Sequence, residues 1–465
     1  MSSYARILLL LLLVQPAPVQ GEVLVRWDLD QVPARESLGV STLLIRVDRT
    51  AAIEEALARG YRVYVELDSG TLANLPALER LSGVVVSGSL SPEQLAGLKQ
   101  RLAIPPPHIR STEHRGKWPH VRLNWVTSED DVLQVSSRTS QPWLENNGAL
   151  IRIAQTERPG VVPLLAYPWT PITVSDMHQG PALENYLVAI AEAGSFGSDL
   201  VLPLHESFQR SLLLGMPRAR ADWQDIRRSL EFYAWDLPRR YRPVANIGVI
   251  SSDPMRDHVL LNLLTRHNLP FVLIPPDRLN AEAVASMDLM ILLDEASGPQ
   301  VEFLAVFARK GGTVVLTSAT RGLPWHATKP LQESDKRASY QVGEGRVLEL
   351  RAPVMDPNAF AMQVREVLGA ERRVVDIWNG ITVLTALYES AEGDTLLLSV
   401  LNYAHTPQPV QLRVKGVYSQ AHFESPESGN AELLPLRHRN GYTEFVLPAL
   451  RVGGRVFLTS AAAFD

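Results

Sequence analysis

From residue 22 to about residue 240 the chain alternates short apolar runs with helical stretches. VLVRWDLD (23–30), TLLIRVD (42–48) and RVYVELD (62–68) end in Asp30, Asp48 and Asp68, each ahead of the next helical stretch. That beat of roughly 20 residues marks a parallel sheet with crossover helices. RTAAIEEALARG (49–60) reads as a helix closed by Gly60. Residues 69–83 read as another, with Leu72, Leu75, Leu78 and Leu81 at helical spacing. VVVSG (84–88) follows as a buried strand, and Ser91, Pro92 and Gln94 form a capping box for the helix after it.

The beat loosens between residues 108 and 147, where HIRS (108–111), VRLNW (121–125) and VLQVS (132–136) are short strand candidates. It resumes with a helix over 142–155, strand VVPLLAY (161–167), a helix over 181–193, strand DLVLPL (199–204) and a helix over 221–233. About eight strands with intervening helices predict a TIM-like (β/α)8 barrel over 22–240, with an open doubly wound sheet as the alternative. PRRYRP (238–243) reads as a linker. Residues 244–369 repeat the strand–helix pattern as a smaller, flavodoxin-like α/β unit. From 370 to 465 apolar and polar residues alternate between Gly, Pro and Asn, as in an antiparallel β-sandwich.

Arg6, the apolar run 7–14, and Val19 and Gly21 at the −3 and −1 positions predict a signal peptide over 1–21. The protein is therefore expected to be exported, to the periplasm or beyond, with no transmembrane span in the mature chain. The 465 residues contain no cysteine, which excludes disulfides, thiolate metal sites and thiol nucleophiles. A net charge of −5 without a basic stripe argues against a nucleic-acid partner. Neither α/β region carries a dinucleotide or phosphate-loop fingerprint, no Gly-x-Ser-x-Gly elbow occurs, and the histidines match no compact metal motif. No cofactor and no metal are expected.

Carboxylates at the carboxyl ends of parallel strands lie where α/β barrels build active sites. Asp28, Asp30, Asp48, Glu66, Asp68 and Glu206 occupy such positions. Helix capping is the structural alternative for Asp48 and Asp68, and an ion pair with Arg26 or Arg46 is the alternative for Glu66. Glu206 and His205 follow the last barrel strand in HESF (205–208), where Glu206 could also serve the helix start. The loosened segment brings Glu113, Trp118, Asn124 and Trp125, then Gln141 and Trp143, and AYPWTP adds Tyr167 and Trp169. A sugar stacks its C–H face on an aromatic plane and needs amide and carboxylate partners for its hydroxyls. Aromatic residues interleaved with Asn, Gln and Glu meet that need; their alternative is a plugged barrel mouth.

The order barrel, flavodoxin-like unit, short sandwich resembles family 42 glycoside hydrolases, the β-galactosidases, and related secreted glycosidases. GEGRV (343–347) resembles the hairpin ending that family's middle domain, VLNYAHTPQPVQL (400–412) its terminal sandwich strand, and LRVGGRVFL (450–458) its closing strand. The resemblance implies a middle domain similar to a glutamine amidotransferase but without its chemistry, used in forming homo-oligomers. It implies carbohydrate as partner. Where the family's fourth strand ends in its acid/base Asn-Glu pair, this chain has Ser87-Gly88, so no catalytic residue carries over.

The expectation is an exported glycoside hydrolase acting on an oligo- or polysaccharide. Glu113 and Glu206 are its catalytic pair, with Glu66 and Asp68 as substitutes or supports. Asp28, Trp118, Asn124, Trp125, Gln141, Trp143, Tyr167, Trp169 and His205 are the substrate-binding candidates. The alternatives are a non-catalytic carbohydrate-binding protein on a degenerate barrel and a cell-envelope assembly protein.

Overall fold

The computed structural model describes residues 23–71, 80–88, 90–101, 108–112, 116–122, 126–129, 132–135, 143–169, 178–234, 240–318, 321–404 and 406–460. The first half of the chain contains strands β1 (Val23–Arg26), β2 (Thr42–Arg46), β3 (Arg62–Leu67), β4 (Gly83–Val86), β5 (His108–Ser111), β6 (His120–Arg122), β7 (Val126–Glu129), β8 (Val132–Val135), β9 (Trp143–Glu145), β10 (Leu164–Ala166) and β11 (Asp199–Pro203). Seven of them form one parallel sheet in the order β10-β11-β1-β2-β3-β4-β5. Strands such as GVVV of β4 are buried along their whole length, as a sheet covered on both faces requires. Alternate residues fill the inside: Leu24, Leu44, Tyr64, Val85, Leu164 and Val201 form one interior cluster. Val25, Leu43, Ile45, Val63 and Val65 face the surrounding helices.

The result is a nearly closed TIM-like barrel, with seven parallel strands among the described residues. β9 pairs antiparallel with β6 rather than joining this sheet. Arg110 crosses the seam: its Nη2 donates to the Val162 carbonyl at 3.4 Å and to Asp199 Oδ2 at 2.5 Å.

The capping box read from the sequence forms as a reciprocal pair. The Gln94 amide donates to Ser91 Oγ at 3.2 Å, and the Ser91 amide donates to Gln94 Oε1 at 2.9 Å.

A short strand β12 (Tyr241–Pro243), in the segment read as a linker, is an edge strand that pairs with the C-terminal region. The middle α/β unit follows, with β13 (Ile247–Ile250), β14 (Phe271–Ile274), β15 (Leu289–Leu292), β16 (Thr313–Leu316), β17 (Gln332–Glu333), β18 (Arg337–Val342) and β19 (Gly345–Leu350). Its sheet order is β14-β13-β15-β16-β19-β18-β17, the first five parallel and the last two antiparallel. The parallel part has the order of a doubly wound sheet. Helices His258–Arg266 and Pro357–Leu368 cover one face and helix Gly298–Arg309 the other.

The rest of the chain is antiparallel: β20 (Val375–Ile377), β21 (Val383–Ser390), β22 (Thr395–Asn402), β23 (Gln408–Lys415), β24 (Tyr418–Glu424), β25 (Glu432–Leu433), β26 (Arg437–Arg439), β27 (Tyr442–Leu450) and β28 (Gly453–Ser460). Two sheets, β12-β21-β22-β28-β24-β25 and β20-β23-β27-β26, enclose an apolar core with Leu398, Leu412, Phe445 and Val456. Among the described residues no helix is long and apolar enough to cross a membrane.

Candidate active site

At the carboxyl ends of the barrel strands the interior face changes from apolar to charged. Strand alternation places Arg26 after Leu24, Arg46 after Leu44 and Glu66 after Tyr64 on that inner face. The Glu66 carboxylate is mostly shielded, with 16% of its side chain exposed. Ser87, at the end of β4, donates its hydroxyl to Glu66 Oε1 at 2.6 Å. Arg26 Nε lies 3.3 Å from Glu66 Oε2, a charge contact without hydrogen-bond alignment. The same Arg26 Nε donates to Asp28 Oδ1 at 3.1 Å. Arg26 thus contacts both carboxyl groups through one nitrogen. Gln209, fully buried, accepts the Asp28 backbone amide at 2.9 Å and holds the end of β1 in place.

The other strand-end acids are engaged elsewhere. Asp48 pairs with Arg46 at 2.8 Å, and Asp30 pairs with Arg49 at 3.1 Å, both in the open. Asp68 Oδ1 accepts from the Thr71 hydroxyl and amide and the Gly70 amide, each at 2.9 Å. These bonds hold its carboxyl below the usual range and make it a turn former. Glu206 opens helix Glu206–Leu213 and is 56% exposed. Arg210, one turn on, donates to it and lowers its pKa. His205 caps that helix: its Nδ1 accepts the Ser207 amide at 3.3 Å, and its own amide donates to the Tyr186 hydroxyl at 3.0 Å.

The aromatic candidates divide. Trp118 meets Trp169 edge-on with centroids 5.7 Å apart and Tyr186 edge-on at 5.6 Å; Tyr186 stacks on Phe208 at 6.0 Å. Trp118 is buried and Trp169 half-buried, so Trp169 keeps the ring surface a ligand could meet. Both indole N–H groups are buried without a hydrogen-bond partner among the described residues. Trp143 turns away from this cluster. Its ring lies under Arg266 at 5.0 Å, against the middle unit, and its Nε1 donates to Glu145 Oε1 at 3.0 Å. Tyr167 is fully buried beside Glu192, and burial raises its phenol well above the usual pKa. Glu113, Asn124, Trp125 and Gln141 lie outside the described residues.

Sequence reading passed over Glu192, the most shielded acid of the barrel region. It sits on helix Leu183–Phe196 and accepts from the Asn147 amide at 3.0 Å, from Asn147 Nδ2 at 2.6 Å and from the Tyr403 hydroxyl. Burial raises its pKa. The signal was present: Glu192 is the one charge in the otherwise uncharged run 185–196. Among the described residues no three acidic or histidine side chains gather at metal-binding distance.

No protein-family model matches this sequence, and no curated protein matches it. Shape does find relatives. The α-L-fucosidase isoenzyme 2 from Paenibacillus thiaminolyticus superposes with a TM-score of 0.56 at 10% identity, covering 95% of this chain and 100% of that one. A rhamnosidase from Novosphingobium sp. PP1Y gives a TM-score of 0.43 at 14% identity, covering 90% of this chain and 39% of that one. A β-galactosidase from Bacillus circulans sp. alkalophilus gives 0.39 at 10% identity, covering 89% and 66%. The chain shares its fold with the α-L-fucosidase.

Proposed function

We propose that this chain is an exported glycoside hydrolase that cleaves an oligo- or polysaccharide at the barrel mouth. The observation that carries the reading is Glu66, an inward carboxylate between Ser87 Oγ at 2.6 Å and Arg26 Nε at 3.3 Å. Arg26 places a positive charge beside the carboxylate, which acts as the nucleophile or the water-activating base. The proton donor is Glu113, which follows Thr112 directly after β5. Glu206, bound to Arg210, and Asp68, bound into its turn, support the site from outside. Asp28 contacts substrate hydroxyls, and Trp169 supplies the ring on which a sugar packs.

A panel of glycans, assayed with the purified chain and with Glu66→Gln and Glu113→Gln, tests this. Each change should lower kcat/KM by about 10²–10⁴-fold. Asp68→Asn and Glu206→Gln should stay within about threefold, because removing a surface charge pair changes little. Full turnover in both Glu66→Gln and Glu113→Gln would remove the proposal. A second reading, a glycan-binding protein without turnover, is favoured by the arginine partners of Asp28, Asp48, Glu66 and Glu206. Saturable binding of a glycan that is never cleaved would select it.

A further inference from the structure

The larger sheet of the sandwich packs on the barrel, so the outer face of the smaller sheet, β20-β23-β27-β26, points away from it. Leu412 and Phe445 of that sheet fill the sandwich core. Strand alternation therefore turns Gln411 of β23 and Val446 of β27 outward, where the two are register partners. Trp378 follows β20 directly and extends their row, its amide donating to the Gln411 carbonyl at 3.1 Å. All three side chains are exposed, and among the described residues Trp378 is the one exposed aromatic. Neighbouring strands lie about 4.8 Å apart, so the row spans about 10 Å.

The ring is fixed in place. Asn379 clips its backbone to β23: Nδ2 donates to the Pro409 carbonyl at 2.9 Å, and Oδ1 accepts the Gln411 amide at 2.8 Å. Arg413, the next outward residue of β23, sets its guanidinium 5.6 Å from the indole centroid and is itself held by Asp376 at 2.8 Å. Half of the indole side chain, 49%, still faces water. Neither its N–H nor the Gln411 carboxamide has a hydrogen-bond partner among the described residues. An exposed apolar strip with a polar rim marks a binding surface, and two features choose the ligand. The strip is three side chains wide and borders a charged row, Asp376, Arg413, Glu444 and Arg437. A stable protein interface takes roughly 800 Å² from each partner, more than such a strip offers. The strip itself carries no charge, and it sets a flat ring beside an open donor and an open amide. That is what an uncharged sugar needs: a plane for its C–H face and partners for its hydroxyls. We infer that this face of the sandwich binds an uncharged polysaccharide chain at a site separate from the barrel mouth. The inference rests on the proposed glycan reading for the kind of ligand and on the sandwich alone for the site.

The test is native electrophoresis of the full chain in gels containing dissolved galactan, arabinoxylan, galactomannan or mixed-linkage β-glucan, with polygalacturonate as the charged control. At least one neutral polysaccharide should retard the chain, and polygalacturonate should not. Trp378→Ala should raise the apparent Kd about tenfold, and Gln411→Ala about threefold. Trp378→Phe keeps a ring and should stay within about threefold of the wild type. All these positions are exposed, so the variants keep the fold. No retardation by any neutral polysaccharide, or equal retardation of Trp378→Ala, would overturn the inference. So would a change in the mass of the free chain in Trp378→Ala, read by light scattering, because the face would then join copies of the chain. Turnover of the glycan panel is scored separately. Retardation that depends on Trp378 in a chain that cleaves nothing upholds this face and dismisses the hydrolase; cleavage without such retardation dismisses this face and keeps the hydrolase.

Discussion

Glu192 has no exposed surface, and three donors end on its carboxyl group: two from Asn147 and one from Tyr403. Desolvation disfavours its charge, the donors favour it, and desolvation wins, so its folded pKa stands above the unfolded value of about 4.3. A raised folded pKa means that the folded chain binds more protons than the unfolded chain. Glu192 therefore stabilises the fold most fully below about pH 4.3, and that contribution is lost as pH rises through the folded value. Glu192→Gln removes the titration. The melting temperature of the wild type should fall relative to Glu192→Gln as pH is raised from 4 toward neutrality, read by thermal scans at matched ionic strength. A difference independent of pH, or one that grows in the opposite direction, would show that this carboxyl is ionised in the fold throughout. Glu192→Ala strands the Asn147 amide and the Tyr403 hydroxyl in the interior and should cost about 3 kcal/mol or more at any pH.

The hairpin between β18 and β19 turns on two glycines of GEGRV for two different reasons. Gly343 has φ +62°, which a side chain rarely adopts, and a Cβ there would lie 2.6 Å from the Arg309 carbonyl oxygen. Gly345 has ordinary backbone angles, but a Cβ would lie 2.1 Å from the Gly312 carbonyl oxygen and 2.4 Å from that of Ala308. Those neighbours are backbone and cannot rotate away, so Gly345→Ala should destabilise by about 3 kcal/mol, measured by urea unfolding. Gly441→Ala is the control for positive φ alone, because it meets no atom within 4 Å. At this scale much of the fold was legible. Parallel strands buried on both faces read as continuous apolar runs, and Ser91 with Gln94 announces its own hydrogen bonds. The barrel's strand count was not legible. Residues 143–145 read as the start of the helix over 142–155, but they form β9, which pairs with β6, and the helix begins at Gly148. The site divides the same way. Acids at strand ends are visible in sequence, and Arg26 on Glu66 is one of the two pairings the sequence offers; Arg210 on Glu206 depends on side-chain reach and was not read.

Across the whole molecule the three regions share their cores. Leu384, Tyr388, Leu397 and Tyr403 of the sandwich belong to the same apolar cluster as the barrel helix Leu183–Phe196. Ala149 and Ile153, on the helix beside the seam, pack with the middle unit's Leu261 and Phe360. Polar contacts follow the same lines: Tyr388 donates to the Ser195 carbonyl at 2.7 Å, and Asn268 Nδ2 donates to the Val383 carbonyl at 3.0 Å. The strongest charge junction is Asp376, 5% exposed at its side chain, which meets Arg365 of the middle unit, Arg373 and, at 2.8 Å, Arg413 of the sandwich. Three guanidiniums converge on one carboxylate, whose charge offsets their mutual repulsion. Asp376→Asn keeps the shape and removes the charge, and breaking a buried pair in this way costs about 3–5 kcal/mol. If the regions are thermodynamically one body, the variant lowers the temperature of a single calorimetric transition for the whole chain. If they are separable, only the transition of the middle unit and sandwich moves, and the barrel melts where it did. The shared apolar clusters argue for the first outcome: opening the sandwich would expose Leu384, Tyr388 and Leu397 together with the barrel side chains they cover, a loss the barrel cannot absorb independently.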